Sequence, residues 1–372
     1  MNVSTQASAD SDDLKNVAII LPRLSGGGAE RVLVQIAGGL DTTRFSTTVV
    51  VLDGRDNDAK HLPNHVSVRN LKTPRLRSAF GSLRRTFREL QPDAVLSTLG
   101  YLNLGVLAAS IGTLPSCRRI IVREANVPQA TAAALGSRLL TRLAYTTLYR
   151  RADAVICNAN IVKTELIKYG VPGKRIHIVA NPVNTAGIRE SVKGPIRPRD
   201  NEIRFVAMGR LVPQKGFDRL IDWFSKFNKP AHLVILGEGS MRSELEARIL
   251  KSNLEERVSL IGQVEVPWQY LADADAFLLP SRWEGMPNAA LEALALGIPV
   301  IASSEAGGII ELSDETPGGA VTIAQTGEAF VSAMKQITPR DRSTDAPASF
   351  LPERYGLKTV LKTYETLIAG DA

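Results

Sequence analysis

Two glutamates, Glu284 and Glu292, lie in the stretch Ser281-Arg282-Trp283-Glu284-Gly285-Met286-Pro287-Asn288-Ala289-Ala290-Leu291-Glu292. An apolar run at 276–280 leads in, and Gly297-Ile298-Pro299 leads out into another. The order strand, loop with a carboxylate, helix with a second carboxylate, turn, strand is how an α/β protein presents groups to a ligand at its strand ends. On a single helix this spacing would separate the carboxylates by roughly 12 Å along the axis. With Glu284 in the loop they still do not approach the separation of about 5 Å that the acid and nucleophile of a retaining hydrolase require. Two carboxylates so placed suit the two diols of one elongated ligand, a sugar and a ribose with a diphosphate between them. The plainer reading of Glu292, a capping or solvent-facing residue, fits poorly with the apolar residues on both sides of it.

Three glycine-bearing segments join this pattern. Gly209-Arg210-Leu211-Val212-Pro213-Gln214-Lys215-Gly216 places an arginine and a lysine close together beside an expected helix, a combination that suits a diphosphate. Ser25-Gly26-Gly27-Gly28-Ala29-Glu30-Arg31 follows an apolar run and opens a helical pattern. It reads either as a loop that lets the backbone approach a phosphate or as a plain strand-to-helix turn. Gly237-Glu238-Gly239 is a further tight turn, expected near a nucleotide base. None of these has the G-x-G-x-x-G spacing of a dinucleotide fingerprint, which counts against a nicotinamide enzyme.

The elements that must position these groups alternate twice over. Short apolar or β-branched runs fall at 16–21, 47–52, 66–70, 94–97, 119–123, 154–158 and 176–179, with helical patterns such as 29–40 and 161–169 between them. After a Pro- and charge-rich stretch the alternation restarts at 204–208, 232–236, 258–261, 276–279 and 299–302. The pattern predicts an α/β protein of two facing Rossmann-like, doubly wound domains with a cleft between them. The boundaries expected are a disordered tail at 1–14, a first domain at 15–186, a linker at 187–201, a second domain at 202–348 and a terminal helix within 349–372 that packs back on the first domain. Helix N-termini at the strand ends favour an anionic ligand.

Composition narrows the class. The 372 residues are 44% hydrophobic and 22% charged, which is ordinary for a globular protein of this size. Cys117 and Cys157 lie in apolar segments and read as buried thiols of a reducing compartment, so the expected location is cytoplasmic. No cluster of residues has metal-ligand spacing. The uncharged stretch 94–117 is long enough to suggest a membrane span, but Ser97, Asn103, Ser110, Gly112 and Pro115 interrupt it, so a buried strand and a buried helix from about Asn103 are expected. The net charge of +7 is uneven. Arg69, Lys72, Arg75, Arg77, Arg84, Arg85 and Arg88 face a single acid, Glu89, and Arg138, Arg142, Arg150 and Arg151 face none over their own segment. These residues form either a solvated face or a surface for anionic lipid at the inner face of a membrane, with Leu135, Leu139 and Leu143 as an apolar stripe. No nucleic-acid partner is expected, because few aromatics interleave with the cations.

On these residues the chain resembles glycosyltransferase family 4, the retaining nucleotide-sugar enzymes of GT-B architecture. Residues 280–302 carry the likeness most strongly, and Gly209-Arg210, Lys215-Gly216 and Asn181-Pro182-Val183-Asn184 add to it. The resemblance implies a nucleotide-sugar donor, UDP- or GDP-linked, bound by the second domain, and a saccharide or lipid-linked acceptor bound by the first. It implies that Arg210 and Lys215 hold the diphosphate, Glu284 contacts the transferred sugar and Glu292 holds the ribose. Backbone amides around Met286 to Ala289, at the helix start, would add anion-binding donors within the donor-binding run Gly285, Met286, Pro287, Asn288 and Ala289, and Gly27 and Gly28 would lie against diphosphate or acceptor. It implies no metal or other cofactor. Many family members have a histidine after the fifth strand. Here the segment is Arg123-Glu124-Ala125-Asn126, so Asn126 or Glu124 takes the polar contact or the acceptor is held differently. The missing histidine also leaves open a non-catalytic nucleotide-sugar-binding or scaffold protein of the same fold.

Overall fold

The computed structural model describes residues 14–54, 62–74, 76–115, 118–192, 202–340 and 347–371. The expected tail through residue 13, Arg75, Cys117, most of the expected linker and the side chains of Arg77 and Leu135 lie outside the described residues. The chain forms two compact units. One comprises Met1–Cys157, Lys163–Val179 and Leu361–Ala372; the other comprises Asn158–Val162 and Ala180–Val360.

The first unit is built on seven strands: β1 (Lys15–Leu21), β2 (Phe45–Val51), β3 (Ser67–Asn70), β4 (Ala94–Thr98), β5 (Arg119–Glu124), β6 (Ala154–Cys157) and β7 (Ile176–Ile178). They pair in the order β3-β2-β1-β4-β5-β6-β7, every pair parallel. Helices cover both faces of such a sheet, so its central strands read as unbroken apolar runs. Val17, Ala18, Ile19, Ile20 and Leu21 are all buried for this reason. The suspected membrane stretch resolves into β4 and the helix Gly100–Ser110, which is buried along most of its length. No helix among the described residues is long and apolar enough to cross a membrane. The last turns of the C-terminal helix Leu357–Ala369 belong to this unit. Lys15 Nζ donates to the Ala369 carbonyl at 2.8 Å, and the Asp41 amide donates to Glu365 at 3.0 Å.

The second unit has six strands: β8 (Ile203–Met208), β9 (Ala231–Leu236), β10 (Val258–Gly262), β11 (Ala276–Leu279), β12 (Val300–Ser303) and β13 (Val321–Ala324). Their order is β10-β9-β8-β11-β12-β13, again all parallel. Phe205, Phe224 and Phe227 pack together in its core with Leu233, Leu278 and Phe330. Strand β13 is an addition to the strands expected from the sequence.

Both sheets reverse their winding direction once, between β1 and β4 in the first unit and between β8 and β11 in the second. At such a switch point the loops leaving two neighbouring strands diverge and open a crevice at the strand ends. The loops carrying Gly27 and Gly28, and those carrying Arg210 and Glu284, leave from these strands.

Candidate functional site

In the second unit, the loop after β8 and the loop after β11 bring Lys215 and Glu284 together. Lys215 Nζ lies 2.5 Å from Glu284 Oε1, and the Ser281 hydroxyl donates to the same oxygen at 2.8 Å. Gln214 Nε2 donates to the Trp283 carbonyl at 2.9 Å and reaches Glu284 Oε2 at 3.5 Å. Glu284 is only 8% exposed, and the lysine is its ion-pair partner there. Arg210 is exposed, and no ion-pair partner of its side chain occurs among the described residues. A cation that the protein leaves unpaired beside one that it pairs is an arrangement suited to an incoming anion.

Two arginines whose roles the sequence did not suggest hold these loops in place. Arg219 donates from Nε to the Pro280 carbonyl at 2.8 Å and from Nη2 to the Ser281 carbonyl at 2.9 Å, and it pairs with Glu305. Arg282 forms a two-pronged pair with Asp218 at 2.8 and 2.7 Å and donates to the Pro213 carbonyl at 2.7 Å. Burial works to raise the Asp218 carboxyl, but the hydrogen bonds and charge of Arg282 outweigh it and hold the group below its ordinary value. Asp218 and Arg219 lie on the first turn of the helix Phe217–Phe224, so a single helix start fixes the loop carrying Glu284 and the turn carrying Lys215. Gly216, at φ +69°, closes the arrangement. A side chain there would collide with the Pro280 carbonyl.

The run from Gly285 to Ala289 leads into the helix Asn288–Ala295, which begins at Pro287 without a side-chain cap. Asn181 steadies the start by donating to Asn288 Oδ1 at 2.5 Å and to the Met286 carbonyl at 3.3 Å. Gly307, at φ +63°, lies where any Cβ would strike the Glu284 carbonyl, and the Gly308 amide donates to the Gly285 carbonyl at 2.8 Å. Glu292, 5% exposed, accepts from the indole N–H of Trp268 at 3.0 Å. The sequence reading passed over Trp268, Gly307 and Gly308. The paired glycines were the one available signal.

The first unit holds the other candidates. Gly27 caps the helix Gly28–Gly39 without a side-chain bond, and the Glu30 side chain folds over Gly26. Across the switch point, Leu99 adopts φ +73°, a conformation that costs a non-glycine residue of order 1–3 kcal/mol. Burial raises the neighbouring Tyr101 hydroxyl, and the charge of Glu30 adds to the effect. Glu124 ends β5 with its carboxylate turned into the interior, 2% exposed. Asn103 Nδ2 donates to it at 2.9 Å and the Tyr145 hydroxyl at 3.2 Å, and the Tyr149 hydroxyl bonds to it as well. Burial pushes its carboxyl up to about 7 against those hydrogen bonds. Asn126 is half-buried, and its Oδ1 accepts from the Val127 amide at 2.9 Å. Among the described residues no group of three or more His, Cys, Asp or Glu is placed to hold a metal ion.

Comparison with known proteins covers both units. Residues 26–186 match the family model "Glycosyltransferase Family 4", and residues 189–345 match "Glycosyl transferases group 1". The chain is 24% identical over 342 residues to the N-acetylgalactosamine-N,N'-diacetylbacillosaminyl-diphospho-undecaprenol 4-alpha-N-acetylgalactosaminyltransferase of Campylobacter jejuni, covering 88% of this chain and 92% of that one. It is 25% identical over 352 residues to the amylovoran biosynthesis glycosyltransferase AmsD of Erwinia amylovora, covering 92% and 96%. Among solved structures, HepE of Anabaena in complex with UDP and glucose superposes with a TM-score of 0.75 at 19% identity, covering 96% of this chain and 100% of that one.

Proposed function

The chain belongs to glycosyltransferase family 4, and on that premise we propose that it moves a hexosyl or related sugar from a UDP- or GDP-linked donor to a saccharide carried on a lipid, with retention at the anomeric carbon. The step serves cell-surface polysaccharide or glycolipid assembly at the cytoplasmic face of a membrane. The observation that carries this reading is the Lys215–Glu284 pair at the second switch point, beside the unpaired Arg210.

A donor diphosphate arriving here meets Lys215 and Arg210. As the bond from the anomeric carbon to the β-phosphate oxygen breaks, the leaving phosphate takes the electron pair, and the two cations stabilise the charge that develops. Their charge does the work a metal ion would do, so transfer is expected to persist in chelator. Lys215 engaged by phosphate releases Glu284 to bind a hydroxyl of the sugar. Glu292, held by Trp268, accepts from the ribose, and the Ala289 amide in the first turn of the helix Asn288–Ala295 adds a donor to the diphosphate. The acceptor oxygen bonds to the anomeric carbon on the face the phosphate leaves, and its proton passes to that phosphate. Gly27, Gly28 and Asn126 in the first unit serve the acceptor side, and the inward-turned Glu124 supports that region from within.

The relatives support the finer points. The Campylobacter jejuni name specifies an alpha-linked product on a diphospho-undecaprenol carrier, and the Anabaena structure holds UDP and glucose. Calorimetric titration with UDP, GDP and their sugar conjugates tests the donor. A matched transfer assay with Arg210→Ala, Lys215→Ala and Glu284→Ala tests the roles. Each variant should lose about 10²–10³ in kcat while keeping its circular dichroism spectrum. Full activity in Glu284→Ala would sink the assignment.

A further inference from the structure

The helix Arg138–Leu148 in the first unit exposes an apolar surface that the mechanism does not use. Its inner face is set by Thr141 and Tyr145, both at 0% exposure, with Tyr145 stacked on Tyr149 at 4.3 Å between ring centroids. At about 100° per residue, Leu139 and Leu143 point directly away from that face and Leu140 lies beside them. Their exposures are 77%, 59% and 62%, the three highest among the described large hydrophobic residues apart from Leu250 at 64%. Single exposed leucines are common, but three within five residues on one ridge form a patch that calls for an apolar partner.

The charges around the ridge identify that partner. Arg138 and Arg142 run in a parallel row one position before Leu139 and Leu143, and Arg150 and Arg151 follow at the end of the helix. All four are exposed, and none has an acidic partner among the described residues. From Ala125 to Ala152 the chain contains no Asp or Glu. A protein partner would have to supply a complementary acidic rim around an apolar groove. An anionic bilayer supplies both in one surface, with acyl chains for the leucines and phosphates for the arginines.

We propose that this helix is the docking element by which the protein rests on an anionic phospholipid bilayer, with Leu139, Leu140 and Leu143 inserted between headgroups and Arg138, Arg142, Arg150 and Arg151 on the lipid phosphates. The proposal deepens the functional reading, and rests on it only for the purpose of docking, which is access to a lipid-carried acceptor.

The test is sedimentation of the full chain with vesicles of pure phosphatidylcholine and of a phosphatidylglycerol–phosphatidylcholine mixture. Binding should be confined to the mixed vesicles and should fall on adding 0.5 M salt. Arg138→Gln with Arg142→Gln should weaken partitioning by about 25-fold, at about fivefold per arginine. Leu139→Ser with Leu143→Ser should weaken it by at least about tenfold at low salt, where the charge is unaltered. UDP titration of the same variants separates this idea from the catalytic one. Donor affinity should match the unsubstituted protein, and loss of donor binding by that protein would count against the enzyme reading alone. Equal binding to neutral vesicles, no binding to either, or unchanged partitioning of the leucine variant would overturn the docking proposal. So would a dimer, seen by light scattering, that the leucine substitutions convert to monomer, because the ridge would then be covered by a second copy of the chain.

Discussion

Glu124→Gln should change how stability depends on pH, and the size of the change follows from where the carboxylate sits. Burial holds the Glu124 carboxyl at about 7 in the folded protein against an ordinary value of 4.5. Below pH 4.5 both folded and unfolded chains keep the proton, and the site costs nothing. Between 4.5 and 7 the unfolded chain releases the proton while the folded chain retains it, so stability falls as pH rises. Above 7 both states are ionised and the loss is complete, at about 3 kcal/mol. A glutamine keeps an oxygen for Tyr149, Tyr145 and Asn103 but cannot ionise. The difference in stability between variant and unsubstituted protein should therefore grow by about 3 kcal/mol from pH 4.5 to pH 8. For a unit of this size that is roughly 6–12 °C in the melting temperature of the first unit. Differential scanning calorimetry at several pH values, on both proteins, isolates the effect because all other titrations are common to the two. Parallel melting curves across the whole range would refute the argument, since they would mean that Glu124 ionises equally easily in both states.

Other outcomes are open to measurement. Arg219→Lys keeps a charge but cannot reach the Pro280 and Ser281 carbonyls together, so kcat should fall by more than tenfold with donor affinity less affected, and Arg219→Ala should fall further. Trp268→Phe removes the indole donor to Glu292 while keeping an aromatic ring, and should raise the donor KM severalfold, read from initial rates, with a smaller change in kcat. Gln91 follows the helix Leu76–Leu90 at φ +42° and precedes Pro92, so Gln91→Gly should stabilise the first unit by about 1 kcal/mol, seen as a higher denaturant midpoint. An unchanged or lower midpoint would show that the lost Gln91 bond to the Arg88 carbonyl outweighs the relieved strain.

Strands buried on both faces were legible because such strands must be apolar throughout, and the runs at β1, β4, β8 and β11 could hardly be anything else. Strand β13 was not legible. Val321-Thr322-Ile323-Ala324 is four residues long, lies at a sheet edge and is only half-buried, so its sequence carries little of the signal that burial imposes. The Lys215–Glu284 pair joins residues far apart in sequence, and it was approached only through the order of the surrounding motifs. Arg219 was invisible for a different reason. It binds main-chain carbonyls, which every residue possesses, so nothing at Pro280 or Ser281 announces the partner. At Glu124 its place after the fifth strand, where many family members have a histidine, suggested a polar contact with the ligand, whereas its partners Asn103, Tyr145 and Tyr149 come from two helices and the short turn after the second, whose packing no local pattern reveals.

The loops around Glu284 are joined largely through the main chain: Gly216 against the Pro280 carbonyl, Gly307 against that of Glu284, the Gly308 amide on Gly285, the Leu211 amide on Glu238 at 2.8 Å and the Met241 amide on Leu211 at 3.0 Å. Apart from its glycines and the Arg219, Arg282 and Asp218 side chains that brace it, a frame joined this way is less sensitive to the side chains that project from it than to loop length. Exchanging a side chain that projects from it, such as Glu238, whose carbonyl rather than side chain makes the junction, leaves the junctions intact and provides a route by which one scaffold diversifies among donors. Inserting or deleting a single residue between Gly209 and Gly216 shifts every later junction by one peptide unit and separates Lys215 from Glu284. Diversification of this unit should accordingly proceed by substitution within loops of constant length, and libraries for redirecting its sugar preference should keep the residue spacing of these segments unchanged.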